Sequence, residues 1–372
     1  MTATVGFTPP PYPYDRLGDL RVIADRHPGG CVDLSVGTPT DPPAPAVVEA
    51  LASSDAERGY PPSIGSVAFR EASAAWLERR FGIALDPNRL AACVGTKEFV
   101  ASAPHWLRLR RPDRDVVLYP HVSYPSYAMG ATLAGVEPVA VPVDDAYRID
   151  LDGIDEADAA RALCLWVNTP GNPAGALDDL AAAAEWGRSH GVPVLSDECY
   201  AEFTWQGAPR TVLETGIEGV IAVHSLSKRS NLAGARVGFY AGDEELVTYL
   251  AEVRKHAGLM VAGPVQAAAV TAWGDDDHVE AQRELYAARL RRCRELLAAL
   301  GIDASLPAGG FYLWVPAPRG DAWALARRLA ERAGVLVSPG EFYGPAGAGH
   351  VRLAMVQPEA RLDLVAQRLA ST

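Results

Sequence analysis

The sequence predicts an α/β protein, with a large domain on a mostly parallel sheet and a smaller α+β domain. Three observations carry that expectation. Between residues 116 and 241, short apolar runs alternate with stretches of helical period, the pattern of parallel strands joined by covering helices. The strands in this section end on polar residues, which puts functional groups at the carboxyl edge of the sheet. From Asp243 onward the pattern turns helical and then mixes helices with single strands, and 372 residues at 49% hydrophobic composition are enough for two units.

Taken in order, Thr8-Pro-Pro-Pro-Tyr-Pro-Tyr14 forms neither helix nor central strand, because its prolines fix φ and lack donors. An extended arm is expected there, either packed on a partner subunit through its tyrosines or simply extended. A short helix over Asp15–Ala24 and a strand over Cys31–Ser35 lead to the loop Val36-Gly-Thr-Pro-Thr-Asp-Pro-Pro43. Arg58-Gly-Tyr-Pro-Pro-Ser-Ile-Gly-Ser66 is a second stiff loop, which holds Tyr60 in a defined place. The helix after it carries Phe69, Ala72, Trp76 and Leu77 on one face. Val94-Gly-Thr-Lys97 then joins an apolar strand to a helix over Glu98–Leu109, whose free N–H groups suit a phosphate.

Strands follow at Val116–Tyr119, Val139–Val143, Leu163–Val167, Val192–Leu195 and Gly219–His224, with helices near Ser126–Leu133 and Ala176–His190. Val237–Ala241 reads as a further strand, possible as an antiparallel one. A helix from residue 243 to about Leu259 and a long one over Val279–Leu300, stopped by Gly301, come next, with a change of domain near Arg254. The tail contains strands at Gly310–Val315, Val335–Ser338 and His350–Met355, and helices at Asp321–Ala333 and Pro358–Leu369.

The net charge of −12 argues against a general affinity for nucleic acid or anionic membrane. Cys31, Cys93, Cys164, Cys199 and Cys293 are widely spaced without CxxC and read as reduced residues, and the histidines show no metal-ligand spacing. The N-terminus lacks a basic segment followed by an apolar one, and no stretch approaches a membrane span, so a cytoplasmic location is expected.

The chemistry concentrates in Val223-His-Ser-Leu-Ser-Lys-Arg-Ser-Asn-Leu-Ala-Gly-Ala-Arg-Val-Gly-Phe239. A lysine at a strand end is usually a solvated surface residue. Lys228, however, has Ser225 before it and Arg236 after it, both phosphate-type donors. A lysine nucleophile beside a phosphate site points to pyridoxal 5'-phosphate held as a Schiff base. Neighbouring strand ends supply what such a cofactor needs. Asp197 can keep the pyridine nitrogen protonated, Asn172 and Tyr200 can bond the ring oxygen, and Tyr124 offers a stacking face. Each residue also has an ordinary structural account: Asn172 as a turn residue, Asp197 as a helix cap, Tyr124 and Tyr200 as core aromatics.

In their joint order these motifs resemble the class I aminotransferases of pyridoxal phosphate fold type I, over nearly the whole chain from Gly37 to Arg352. The matching stretches are Gly-Thr-Lys (95 to 97), Asn-Pro-Ala-Gly (172 to 175), Asp-Glu-x-Tyr (197 to 200), Ser-x-Ser-Lys (225 to 228) with Arg236, and Val-Arg-Leu (351 to 353). The resemblance implies Lys228 as the cofactor-bearing lysine and proton shuttle, with Asp197 and Tyr200 completing the catalytic set. It implies Gly95, Thr96, Lys97, Ser225 and Arg236 around the phosphate, joined by Tyr60 of a second subunit in a homodimer with shared active sites. Arg352 would hold the substrate α-carboxylate, helped by Asn172 and the Gly37 backbone. Ala174 stands where the family has threonine, and little change is expected because Asn172 is kept. The implied division is an arm over 1–16, a small domain of 17–44 plus 255–372, and a large cofactor-binding domain over 45–254.

Within the class, Val-Gly-Thr-Lys-Glu, Ser-Asp-Glu-Cys-Tyr and Arg-Lys-His-Ala-Gly-Leu-Met look most like actinobacterial succinyldiaminopimelate aminotransferases of lysine biosynthesis. The implied reaction moves an amino group from glutamate to N-succinyl-2-amino-6-oxopimelate by a ping-pong mechanism. Arg254, Lys255 and His256 lie either near the site mouth or on a solvated basic helix face. Lyase, decarboxylase and cyclisation chemistries share the fold type, and a nicotinamide dehydrogenase is disfavoured by the missing GxGxxG.

Overall fold

Seven strands form the central sheet in the spatial order Leu90–Cys93, Gly238–Gly242, Val220–Ser225, Val194–Asp197, Ala162–Asn168, Val116–Pro120, Glu137–Val141. Gly238–Gly242 runs antiparallel to both its neighbours and all other pairs are parallel. The computed structural model describes residues 6–52 and 55–370, so the first five residues of the expected arm lie outside the described residues. Every residue of Ala162–Asn168, Val194–Asp197, Val220–Ser225 and Gly238–Gly242 is buried, as strands covered on both faces must be. Side chains alternate between two cores: Leu165, Val167, Val220 and Ala222 face Trp76, Phe239 and Trp273, while Trp166, Ile221 and Val223 face Phe99, Tyr127 and Tyr240.

A third core surrounds the antiparallel sheet Ser338–Pro339, His350–Ala354, Tyr312–Pro316 and the parallel pair Val32–Asp33 with Val335–Leu336. The helices Asp277–Ala299, Ala322–Ala333 and Glu359–Ala370 cover it. Ala322–Ala333 shows a complete set of end signals: Asp321 accepts from the Ala324 N–H, and Gly334 closes the helix at φ 64°.

The expected α/β architecture is therefore present, with differences at element ends. The helix expected from Ala176 begins at Leu180, because the turn through Gly175 uses its own hydrogen bonds (Gly175 N–H to Gly171 carbonyl, 2.7 Å) and Asp179 caps the helix. The helix after Asp243 ends at His256, and Gly263–Gly274 forms a separate helix that the sequence reading omitted. Its mean composition is apolar all round, so periodicity gave no signal. It packs on Pro45–Ala52 and Val67–Phe81, and Trp273 meets Trp76 at 4.5 Å between ring centroids. Among the described residues no helix is long and apolar enough to cross a membrane, and no group of His, Cys, Asp and Glu is arranged to hold a metal.

Candidate active site

Parallel pairing sets the site. The registers Asn168↔Asp197 and Asp197↔Val223 bring the carboxyl ends of three neighbouring strands level, so Asn168, Asp197 and Ser225 emerge on one edge. Asn168 then organises the next turn: its Nδ2 donates to the Asp197 carbonyl (2.8 Å) and its Oδ1 accepts from the Asn172 N–H (2.8 Å).

Asp197 is buried, and its Oδ2 accepts from the Tyr127 hydroxyl at 2.9 Å while Oδ1 accepts from the Cys199 N–H at 3.2 Å. Burial raises its pKa, and the Cys199 and Tyr127 bonds offset only part of that. A cation brought to this carboxylate, such as a protonated pyridine nitrogen, would draw the pKa back down. Cys199 Sγ in turn donates to Thr96 Oγ1 (3.1 Å), which links the ring end of the site to the Gly-Thr turn.

That turn opens the helix Thr96–Arg110 with Gly95 at φ 74°, and no side chain caps it. Its first N–H groups are thus directed outward at the positive end of a helix. A Cβ on Gly95 would strike the Arg236 guanidinium, so glycine is what allows the two to meet. Arg236 has left-handed backbone (φ 58°), anchors Nη1 on the Ala233 carbonyl (2.9 Å) and stays exposed. Ser225 lies beside it, accepting from the Ser227 N–H at 3.0 Å. Uncapped N–H groups, a guanidinium and two serine hydroxyls are a donor set that fits a phosphate dianion.

Lys228 lies in the short helix Leu226–Arg229, and its Nζ donates to the Gly37 carbonyl. Desolvation lowers its pKa to about 8, with Cys199 opposing and Arg352 and Arg236 reinforcing the shift. A useful fraction of the amine is therefore uncharged near neutrality. Arg352 is fully buried: Nη1 donates to Asn172 Oδ1 (2.8 Å), Nη2 to the Ser35 carbonyl (2.6 Å) and, more weakly, to the Tyr14 hydroxyl (3.4 Å). Its Nε has no hydrogen-bond partner among the described residues, an orphaned donor of the kind that an anionic ligand relieves.

The structure thus brings Lys228, Asp197, Tyr200, Asn172, Thr96, Gly95, Ser225, Arg236, Gly37 and Arg352 together in one cluster at the sheet edge. Tyr124 stands at its wall, against Tyr127 at 6.1 Å between centroids. Lys97 contributes backbone to the helix start, but its Nζ points to the Tyr12 ring, 5.5 Å from the centroid. Tyr60 is not part of the cluster: it is 98% exposed. The described part of the arm folds back on its own chain, where the Tyr14 hydroxyl meets that of Tyr343 at 3.0 Å. Arg254 belongs neither to the mouth nor to a solvated face. It is buried, forks onto Glu98 (2.8 and 2.7 Å) and lies over Phe99 and Tyr240.

Sequence reasoning missed Tyr127, which buttresses Asp197, and Tyr14, Tyr312 and Tyr343, which surround Arg352. Tyr127 closes the Ser123-Tyr-Pro-Ser-Tyr motif, and its helix spacing from Tyr124 was the available signal. Nothing local distinguishes Tyr312 from an ordinary strand aromatic.

Comparison with known proteins agrees with this geometry. The family model "Aminotransferase class I and II" matches residues 30–369. A "Probable aminotransferase" of Mycobacterium tuberculosis is 42% identical, over 97% of this chain and 85% of its own. The 4-dedimethylamino-4-oxo-anhydrotetracycline transaminase OxyQ of Streptomyces rimosus is 40% identical, over 97% and 99%. Among solved structures, substrate-bound BacF from Bacillus subtilis superposes with a TM-score of 0.89 at 29% identity, over 99% and 98% of the two chains. A "probable N-succinyldiaminopimelate aminotransferase" from Thermus thermophilus gives 0.85 at 32%, over 96% and 100%. With this fold, this family match and these relatives, the chain belongs to the class I and II aminotransferases: a fold type I, pyridoxal 5'-phosphate-dependent enzyme that exchanges amino groups between amino acids and keto acids by a ping-pong mechanism.

Proposed function

We propose that the amino donor is glutamate and the acceptor N-succinyl-2-amino-6-oxopimelate, so that the enzyme serves diaminopimelate and lysine biosynthesis in the cytoplasm. The wording of the motifs around Lys97, Cys199 and Lys255 supports this, as does the likeness to the Thermus thermophilus protein. The single observation that carries the broader reading is the buried Arg352, held by Asn172 and Ser35 beside Lys228 with one donor left over.

The bound cofactor supplies an electron-withdrawing ring that stabilises negative charge developing on the substrate Cα. Arg352 binds the α-carboxylate as a fork and fixes which Cα bond faces Lys228. Asn172, whose Oδ1 already accepts from Arg352, keeps its Nδ2 for the ring oxygen, together with the Tyr200 hydroxyl. With the cofactor bound, the free Lys228 amine would be the group that takes the proton from the substrate Cα and gives it back, as the proton shuttle of the transfer. Asp197, steadied by Tyr127, would hold a proton on the ring nitrogen. Gly95, Thr96, Lys97, Ser225 and Arg236 would bind the phosphate, Tyr124 would offer its face to the ring, and Tyr60 would reach the phosphate of the partner site in a homodimer.

We take the domains as an arm over 1–16, a small domain of 17–44 plus 255–372 and a large domain over 45–254. The packing of Gly263–Gly274 on the large-sheet core argues for moving the second crossing toward Asp277.

A second reading, an aminotransferase for a bulkier or different ketone, is supported by the identity to the tetracycline-pathway transaminase. A keto-acid panel with glutamate as donor separates the two. The succinylated oxopimelate is expected to be the best acceptor by kcat/KM. No turnover of it, with turnover of other keto acids, would sink the narrow assignment and keep the family. Release of ammonia or carbon dioxide in place of 2-oxoglutarate would point to lyase chemistry.

A further inference from the structure

Lys228 directs its amine to the Gly37 carbonyl, and Arg229, the next residue of the turn Leu226–Arg229, enters the core around Trp76 and Trp273. It is 2% exposed, with its guanidinium carbon 5.7 Å from the Trp76 ring centroid and 5.3 Å from that of Trp273. A charge buried in this way needs every donor satisfied. Nη1 donates to the Ala272 carbonyl (2.6 Å) and to Ser230 Oγ (3.3 Å), and Nη2 to Asp276 Oδ1 (2.8 Å) and the Asp275 carbonyl (3.2 Å). Ala272, Asp275 and Asp276 stand at the C-terminal end of Gly263–Gly274, the end whose dipole favours a cation. The remaining donor, Nε, reaches Glu202 Oε1 at 3.2 Å. Glu202 lies in the turn Ala201–Phe203, in the segment that also carries Asp197 and Tyr200. Past the register Asp197↔Val223 the two chains leave the sheet, and this ion pair joins them again.

We propose that Arg229 is a positioning residue for Lys228: clamped to Glu202 and to the end of Gly263–Gly274, it fixes the turn from which the amine reaches the cofactor. The proposal rests on the role given above to Lys228 as the cofactor-bearing lysine. Consecutive residues of a helical turn point about 100° apart, so an anchor on Arg229 sets the direction in which Lys228 leaves the backbone. The anchor has to be a fork, since an ammonium cannot span Glu202, Ala272 and Asp276 at once. Capture of pyridoxal phosphate joins the Lys228 nitrogen to the aldehyde carbon with loss of one water. That carbon is placed by other residues, the phosphate donors at one end and Asp197 at the other. A loosened turn leaves those residues where they are and misplaces the nitrogen, and a displacement of about 1 Å is worth about a hundredfold in rate.

The test separates capture from binding in the cofactor-free protein. Affinity for pyridoxine 5'-phosphate, which has the ring and the phosphate but an alcohol in place of the aldehyde, reports the cradle. The limiting rate of visible absorbance growth at saturating pyridoxal phosphate reports Lys228, read at about pH 9.5, where an amine with a pKa of about 8 is uncharged. Arg229→Met leaves Glu202 with Trp76 Nε1 (2.6 Å) and Arg80 (3.3 Å), and Asp276 with Arg79 (3.1 Å), so neither carboxylate loses its last partner. It is expected to lower the limiting rate by about ten- to a hundredfold. Glu202→Gln, nearly isosteric, is expected to lower it by about fivefold, the worth of one hydrogen bond, and decides alone where Arg229→Met does not fold. Affinity for pyridoxine phosphate should stay within about twofold of the wild type in both. A limiting rate within about twofold of the wild type in either variant overturns the proposal. So does a loss of pyridoxine phosphate affinity as large as the loss of rate, since Arg229 would then shape the cofactor site as a whole. Lys228→Ala that still develops the absorbance refutes the role of Lys228 itself, whereas its silence beside an unaffected Arg229→Met overturns the positioning alone.

Discussion

Desolvation prepares Lys228 before any ligand arrives. With its pKa at about 8, the uncharged amine falls about tenfold for each pH unit below that value and saturates above it. Capture of pyridoxal phosphate by the cofactor-free protein should therefore accelerate as pH rises and level off near pH 8, as followed by the growth of visible absorbance. A solvated lysine would keep accelerating toward its ordinary pKa of 10.5. Lys228→Ala should abolish both transamination and that absorbance, and turnover surviving the change would refute the assignment. Asp197→Asn retains the shape of the side chain but not its charge. It should lower kcat by about a hundredfold or more, the usual loss for one preorganised electrostatic group, in a steady-state assay. Arg352, Asn172 and Asp197 were legible as residues because their motifs are short and contiguous. Their partners Tyr127 and Tyr312 were not, since each acts through a contact across more than 60 positions of chain.

At the level of elements, two ion pairs, each with a buried arginine and a partly buried carboxylate, hold the loops around the site. Glu98 sits in the first turn of Thr96–Arg110, accepts from the Val94 N–H (3.2 Å) and Ser102 Oγ (2.8 Å), and is gripped by Arg254 from Glu244–His256. The Gly-Thr turn is thus braced from a neighbouring helix. Arg254→Ala should cost about 3 kcal/mol in urea unfolding, because it leaves a half-buried carboxylate unpaired. Asp41 binds Arg289 through both oxygens (2.6 and 2.8 Å) and Gln282 (3.0 Å), fastening the Gly37 loop to the helix Asp277–Ala299. Burial raises the Asp41 pKa, but the Arg289 and Gln282 bonds outweigh it and hold the carboxyl below its ordinary value of 3.8. The sign follows: its stabilisation is full above that value and disappears as pH falls through the lowered one. The stability gap between wild type and Asp41→Asn should be open at neutral pH and close in acid, as read by unfolding midpoints. Strand positions were readable from apolar runs, whereas Gly263–Gly274 was not, because it is apolar on every side.

For the whole molecule, Tyr60 is the residue the single chain leaves without a place in the site, 98% exposed on a loop that the prolines stiffen. In the proposed homodimer it completes the partner's phosphate site. Sedimentation should give a dimer, and Tyr60→Ala should stay dimeric yet lose cofactor on dialysis with about tenfold weaker affinity, one hydrogen bond's worth. A monomer in solution would remove that role. The arm shows a related division. Its prolines predicted a stretch without helix through Tyr14, but a 3-10 helix already begins at Pro13, and the bonds of Tyr14 to Tyr343 and Arg352 set that residue against the buried arginine of its own chain.

The order of motifs along the chain was enough to establish the α/β architecture and the cofactor, because apolar runs fix strands and the polar residue after each strand must lie on the sheet edge. Tertiary structure alone decided that Lys228 loses its solvation, that Arg254 is a brace and not a ligand, and that tyrosines from three distant segments surround Arg352. Those outcomes depend on burial and on contacts between segments remote in sequence, and neither is encoded in the local pattern around any one residue.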